Sequence, residues 1–148
     1  MCYTKLMKST KTENDVRKNY YSYIRVSSEE QAKKDRNGLV RQMEAIDEYC
    51  AKHNIDDITH FSDQGKSAYH ADHLKKGSGL HKFVNSLYAG DLGENPVLLV
   101  ESLDRLSRQE PFDAQLQLMT YMSHGLEIVT LMDGQVYSRT GDTSKLTV

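Results

Sequence analysis

Tyr20-Tyr21-Ser22-Tyr23-Ile24-Arg25-Val26-Ser27-Ser28-Glu29-Glu30-Gln31 reads as a buried strand that stops abruptly in a polar, charged loop. Tyr20, Tyr21, Tyr23, Ile24 and Val26 favour the extended conformation, whereas Glu29, Glu30 and Gln31 do not. Side chains two apart on a strand share a face, so Arg25 and Ser27 project to the same side. In open α/β sheets the carboxyl ends of strands are where ligands and chemistry sit. A serine beside a guanidinium is then a candidate nucleophile aimed at a phosphate. The plain alternative is a serine that caps the next helix.

Working outward, Leu39, Met43, Ile46 and Cys50 recur at helical spacing and predict an amphipathic helix over 38–53 with its apolar stripe in the core. Arg41, Glu44, Asp47 and Glu48 of that helix are expected to face water largely. A second strand is expected over 57–63, running into the polar turn Asp63-Gln64-Gly65-Lys66-Ser67. Residues 67–79 read as a mobile loop. Leu80, Phe83, Val84 and Leu87 predict a second helix, ending near Gly90. Val97 to Val100 is a continuous apolar run, as in a strand covered on both faces. Pro111 opens a third helix, with Phe112, Leu116, Met119 and Met122 on one face and Gly125 after its end. Leu126 to Met132 is a fourth strand, and Gln135 to Ser138 a short fifth.

Strands alternating with helices predict an α/β fold: a mostly parallel four- to five-stranded sheet with right-handed crossovers and helices on both faces.

A chain of 148 residues fits one domain with a real core, here 20–148 behind a flexible arm over 1–19. With 38% hydrophobic and 27% charged residues the composition is globular rather than disordered. No apolar run is long enough to span a membrane, and the lysine-rich start lacks the apolar stretch of a secretory signal. Only Cys2 and Cys50 are present, one in the arm, so a reducing cytoplasm is expected and a disulfide is not. The six histidines are scattered without zinc-ligand spacing. A net charge of −2 speaks against a stand-alone nucleic-acid binder. It leaves room for an enzyme that gathers a few arginines around one phosphate.

Polar groups cluster at three strand ends: Arg25 with Ser27, Asp63 with Ser67, and Asp104 with Arg105 and Arg108. In a parallel sheet these ends share one edge. Guanidinium forks bind phosphate oxygens bidentately and offset the charge of a phosphoryl-transfer transition state. Taken singly, each has a simpler reading: a solvated helix face for the arginines, a cap for Asp104, a turn former for Asp63.

At these residues the chain resembles the catalytic domain of the serine recombinases, the resolvase/invertase family. The motifs are Tyr23-Ile24-Arg25-Val26-Ser27 with Gln31, Gly38-Leu39-Val40-Arg41-Gln42, Asp63-Gln64-Gly65-Lys66-Ser67, and Leu103-Asp104-Arg105-Leu106-Ser107-Arg108. The resemblance covers 20 to about 145 and is specific because the first and last motifs occur together, about eighty residues apart.

The resemblance implies that Ser27 attacks a DNA phosphodiester and forms a 5′-phosphoserine link, with strand exchange and religation to follow. Ser28 lies one place beyond the motif. Arg25, Arg105 and Arg108 match the arginines on the scissile phosphate, and Asp104 the aspartate among them. Tyr23, Gln31, Gln42, Asp63 and Ser67 match the supporting polar shell. The resemblance implies no cofactor and no metal, double-stranded DNA as partner, dimers that pair into tetramers, and genes of bacteria, phages, plasmids or transposons.

Two departures stand out. The family's usual further arginine has no counterpart over 68–104, where the nearest cations to substitute are Lys75 and Lys76. The chain also stops where the family continues into a long dimerising helix and a DNA-binding region. Residues 1–148 alone are therefore expected to bind DNA weakly and not to recombine it. Two competitors remain: a catalytically impaired relic kept for protein or DNA interaction, and a small-ligand domain of flavodoxin or response-regulator type. Neither a glycine-rich phosphate loop nor an acidic Mg²⁺ cluster supports the latter.

Overall fold

The computed structural model describes residues 17–26, 37–64, 79–106 and 110–139. β1 (Asn19–Val26) is central, pairing in parallel with β2 (Ile58–Gln64) on one side and β3 (Pro96–Val100) on the other. β4 (Glu127–Thr130) pairs in parallel with β3, and β5 (Gln135–Tyr137) pairs antiparallel with β4. Among the described residues these make one five-stranded sheet of order β2-β1-β3-β4-β5. Among the described residues three α-helices lie between the strands: α1 (Asn37–Lys52), α2 (Gly79–Ala89) and α3 (Pro111–Ser123). A 3-10 turn over Leu103–Arg105 follows β3.

Strand alternation divides the core in two. Ile24, Val26, Val97, Leu99 and Val129 pack with Ile46 of α1 on one face. Tyr23, Leu98, Val100 and Ile128 pack with Leu80 and Phe83 of α2 and Leu118 and Tyr121 of α3 on the other. All five residues of β3 are buried, which is why its sequence is an unbroken apolar run. The rings of Tyr21, Phe61 and Phe83 meet at tilted and edge-on angles, with centroids 5.3–6.3 Å apart.

The start of α2 is pressed against β2. A Cβ on Gly79 would lie 2.3 Å from the carbonyl oxygen of Ser62, so only glycine fits there. Gly125, at φ +93°, ends the turn after α3 in the left-handed region.

Two expected apolar stripes need correction. Met43 of α1 is 47% exposed rather than in the core. In α3, Phe112, Leu116 and Met119 point to solvent, and the buried face is Ala114, Leu118, Tyr121 and Met122. The arm up to residue 16, the segments 27–36 and 65–78, and the tail from 140 lie outside the described residues. No helix among the described residues is long and apolar enough to cross a membrane.

Candidate functional site

The chain leaves β1 toward β2 on one side and later returns to place β3 on the other. Connections that part in this way open a crevice at the carboxyl ends of β1 and β3, the usual ligand position in such sheets. Arg25, the penultimate residue of β1, and the turn after β3 meet there.

The two arginines clasp each other's backbone. Arg25 Nε donates to the carbonyl of Arg105 (3.1 Å) and Arg25 Nη2 to that of Asp104 (3.0 Å). Arg105 Nη1 donates back to the carbonyl of Arg25 (3.1 Å). Residues 80 positions apart in the chain are thereby fixed at one point. Arg25 is only 3% exposed, so these bonds hold it inside the edge rather than on the surface.

Gln42 of α1 completes the clamp. Its Nε2 donates to the carbonyls of Arg25 (3.2 Å) and Gly38 (3.0 Å), and its Oε1 accepts the backbone N–H of Arg25 (3.4 Å). It is buried, and its described bonds are all to backbone. Asp104 offers Arg25 its carbonyl, while its carboxylate accepts the hydroxyl of Ser102.

Asp63 pairs with Arg25 in the register of β1 and β2 but serves the next helix. Its Oδ1 accepts from the Gly79 N–H (2.7 Å) and its Oδ2 from the Leu80 N–H (3.0 Å), which caps α2. The Tyr23 hydroxyl donates to the same Oδ2 (2.8 Å). Burial, and then the Asp63 carboxylate, push the Tyr23 phenol well up from its ordinary range, so it stays a donor.

Two groups that the sequence did not single out join the cluster. Glu101, the residue after β3, is 5% exposed and carries two arginines. Arg41 of α1 forks onto it, Nε to Oε2 at 2.5 Å and Nη2 to Oε1 at 3.0 Å. Arg105 Nη2 reaches the same Oε1 at 3.2 Å. The available signal was a carboxylate placed directly after five apolar residues, where an unpaired charge would not be tolerated. Arg41 was expected to face water; its side chain is half exposed, yet its guanidinium is held by Glu101.

Of the expected site residues, Arg25, Arg105, Asp104 and Gln42 come together here, with Tyr23 two residues before Arg25 on β1 and Asp63 beside Arg25 on β2. Ser27, Gln31, Ser67, Lys75, Lys76 and Arg108 lie outside the described residues. No group of three or more His, Cys, Asp or Glu among the described residues is arranged to hold a metal ion. A guanidinium cluster at a strand-end crevice suits an anion with oxygens to share, such as a phosphate.

Fold and crevice thus define an open α/β domain with an arginine cluster at its switch point. Residues 20–148 match the family described as "Resolvase, N terminal domain", and the chain belongs to that family. "Uncharacterized protein YbcK" of Escherichia coli (strain K12) is 35% identical over 120 residues, 79% of this chain. The chain spans only 23% of that relative's length. The fold resembles the N-terminal catalytic domain of TP901-1 integrase, with TM-score 0.62, 20% identity, and 81% of this chain and 82% of that chain covered. It also resembles a resolvase family site-specific recombinase from Streptococcus pneumoniae, with TM-score 0.61, 20% identity, and 87% and 78% covered. A third similar structure is the first ORF in transposon ISC1904 from Sulfolobus solfataricus P2, with TM-score 0.53, 21% identity, and 84% and 72% covered.

Proposed function

We propose that this resolvase-family catalytic domain cuts and rejoins double-stranded DNA at specific sites, with Ser27 as the nucleophile. The observation that carries the reading is the clasp between Arg25 and Arg105, which joins the two most specific motifs at the β1/β3 crevice. Ser27 follows β1 directly in sequence, two residues after Arg25. In the reaction the Ser27 oxygen bonds to a DNA phosphorus and the bond from that phosphorus to the 3′ oxygen breaks. The Ser27 hydroxyl gives up its proton as it attacks, and the leaving 3′ oxygen takes one up, so the step is balanced. Religation is the reverse attack by a 3′ hydroxyl, so the phosphoserine conserves the bond energy and no cofactor is consumed. Arg105 and Arg108 stabilise the charge that develops on the phosphate oxygens. Arg25 and Gln42 fix the strand end that carries the serine. Dimers paired on two DNA sites are the expected working form.

The test incubates the complete gene product with a random-sequence pool of duplex DNA and traps covalent adducts under denaturing conditions. Wild type is expected to give protein linked to DNA 5′ ends through Ser27. Ser27→Ala abolishes the adduct and Ser28→Ala retains it. An adduct that survives Ser27→Ala, or that Ser28→Ala alone removes, overturns the assignment.

A further inference from the structure

No arginine lies between residues 68 and 104, yet a third guanidinium reaches the crevice from another direction. Arg41 comes from α1, across the sheet edge, and shares the Glu101 Oε1 with Arg105. Two like charges this close repel each other unless a counter-charge stands between them. Glu101 is that counter-charge. Its own burial at the end of an apolar strand is tolerable because it is paired twice. Its backbone is fixed as well, since its carbonyl accepts the N–H of Met132 and continues the ladder from β3 to β4.

The three arginines differ in what they offer to solvent. Arg25 is 3% exposed, and the Arg105 side chain 11%, whereas the Arg41 side chain is 51% exposed. Arg41 is therefore the most accessible of the three, while its Nε and Nη2 are held by Glu101. Among the described contacts Glu101 pairs with two guanidinium groups, Arg41 and Arg105, while Arg25 donates to the backbone carbonyls of Asp104 and Arg105, so the arginines outnumber the carboxylate they share. A phosphodiester carries one negative charge.

We propose that Arg41 is a further phosphate-contacting residue of this site, and that Glu101 is the positioning residue that holds Arg41 and Arg105 in fixed relation. The inference rests on the reading that the cluster receives a DNA phosphate. Glu101 acts through the two arginines and does not itself touch the DNA. Arg41, being planar and held by two bonds, keeps its orientation when the phosphate arrives, which limits the ordering cost at the reacting centre.

Two measurements on the complete gene product test this. The first titrates inorganic phosphate against the side-chain N–H signals of ¹⁵N-labelled arginine. The Arg41 signal is expected to move on addition, and Arg41→Gln to weaken phosphate binding about tenfold, the loss of one charge-assisted contact. Arg41→Lys, which keeps the charge but not the fork, recovers part of that loss.

The second measures adduct formation on DNA. Glu101→Gln removes a negative charge, so phosphate binding stays equal or tightens. Adduct formation nevertheless slows by about tenfold or more, because the arginines lose their fixed placement. A role confined to stability does not give this split between binding and rate. The proposal is overturned if phosphate leaves the Arg41 signal unmoved, or if Arg41→Gln changes affinity less than about twofold. It is overturned equally if folded Glu101→Gln forms adducts at the wild-type rate. Should Glu101→Gln not fold, the comparison of Arg41→Gln with Arg41→Lys still decides, since Arg41 is half exposed. If phosphate binds at Arg41 but no Ser27-linked adduct ever forms, the recombinase reading falls and the Arg41 anion site stands.

Discussion

Asp63 is one buried carboxylate with three donors: two backbone N–H groups at the start of α2 and the Tyr23 hydroxyl. It ties β1, β2 and α2 to one point, and Gly79 allows the helix to come close enough for the bonds to form. Removing it deletes a helix cap, worth about 1 kcal/mol. It also strands a buried phenol, at about 1–3 kcal/mol. Asp63→Ala should therefore cost about 2–4 kcal/mol in urea unfolding. Asp63→Asn, which keeps an acceptor for the cap, should cost about half as much. A loss under about 0.5 kcal/mol for Asp63→Ala would mean that the cap is not formed in solution. The sequence placed Asp63 at a strand end on the same sheet edge as Arg25, where it lies, but did not reveal its helix partners, Gly79 and Leu80, which are 16 and 17 residues on. Arg41 and Glu101 were harder still, because they are 60 residues apart and no local periodicity links them.

At the scale of elements, α3 shows how a helix with two apolar stripes can be misread. Phe112, Leu116 and Met119 form one stripe, and Ala114, Leu118 and Tyr121 form another almost opposite, at 3.6 residues per turn. Bulk and hydropathy favour the first. The sheet selects the second, because Leu118 and Tyr121 fit beside Leu98, Val100 and Ile128 while Phe112 remains 69% exposed. Met122 lies at the border of the two and is buried. Leu118→Ala should cost about 2–5 kcal/mol. Phe112→Ser and Met119→Ser should each stay within about 0.5 kcal/mol of wild type. Urea midpoints on the three variants check this, and equal losses at Phe112 and Leu118 would reverse the assignment of faces. The strands were more legible than this helix. A strand covered on both faces is simply apolar, as in Val97 to Val100, and no choice of face has to be made.

For the molecule as a whole, alternation of strands and helices was enough to read a parallel sheet with helices on both faces. That β5 turns back antiparallel depends on a short loop after β4, in which Thr130 and the Gln135 N–H both donate to Asp133. No hydrophobic pattern encodes that reversal. The same assembly places tyrosines throughout the fold, and it gives the molecule a defined alkaline limit. Burial raises the phenols of Tyr21, Tyr23, Tyr49, Tyr88, Tyr121 and Tyr137 above their ordinary value, most strongly for Tyr23 and Tyr121. In the unfolded chain these groups lose their protons near pH 10, while the folded chain still holds them. Above that pH the unfolded state binds fewer protons than the folded one, so stability must fall as pH rises. Below it both states are protonated, and the tyrosines contribute no slope. Unfolding free energy should therefore decline steeply only above about pH 10, with Tyr23 and Tyr121 each contributing up to about 1.4 kcal/mol per pH unit. Tyr23→Phe and Tyr121→Phe should each flatten that decline by one such increment, whatever their effect at neutral pH. Urea unfolding across the alkaline range, followed in parallel by tyrosinate absorbance, measures both quantities. In wild type, the two buried phenols should ionise together with loss of structure rather than before it. Ionisation of Tyr23 in a chain that remains folded would show that its bond to Asp63 opens locally, and that the junction of β1, β2 and α2 is looser than its three bonds imply.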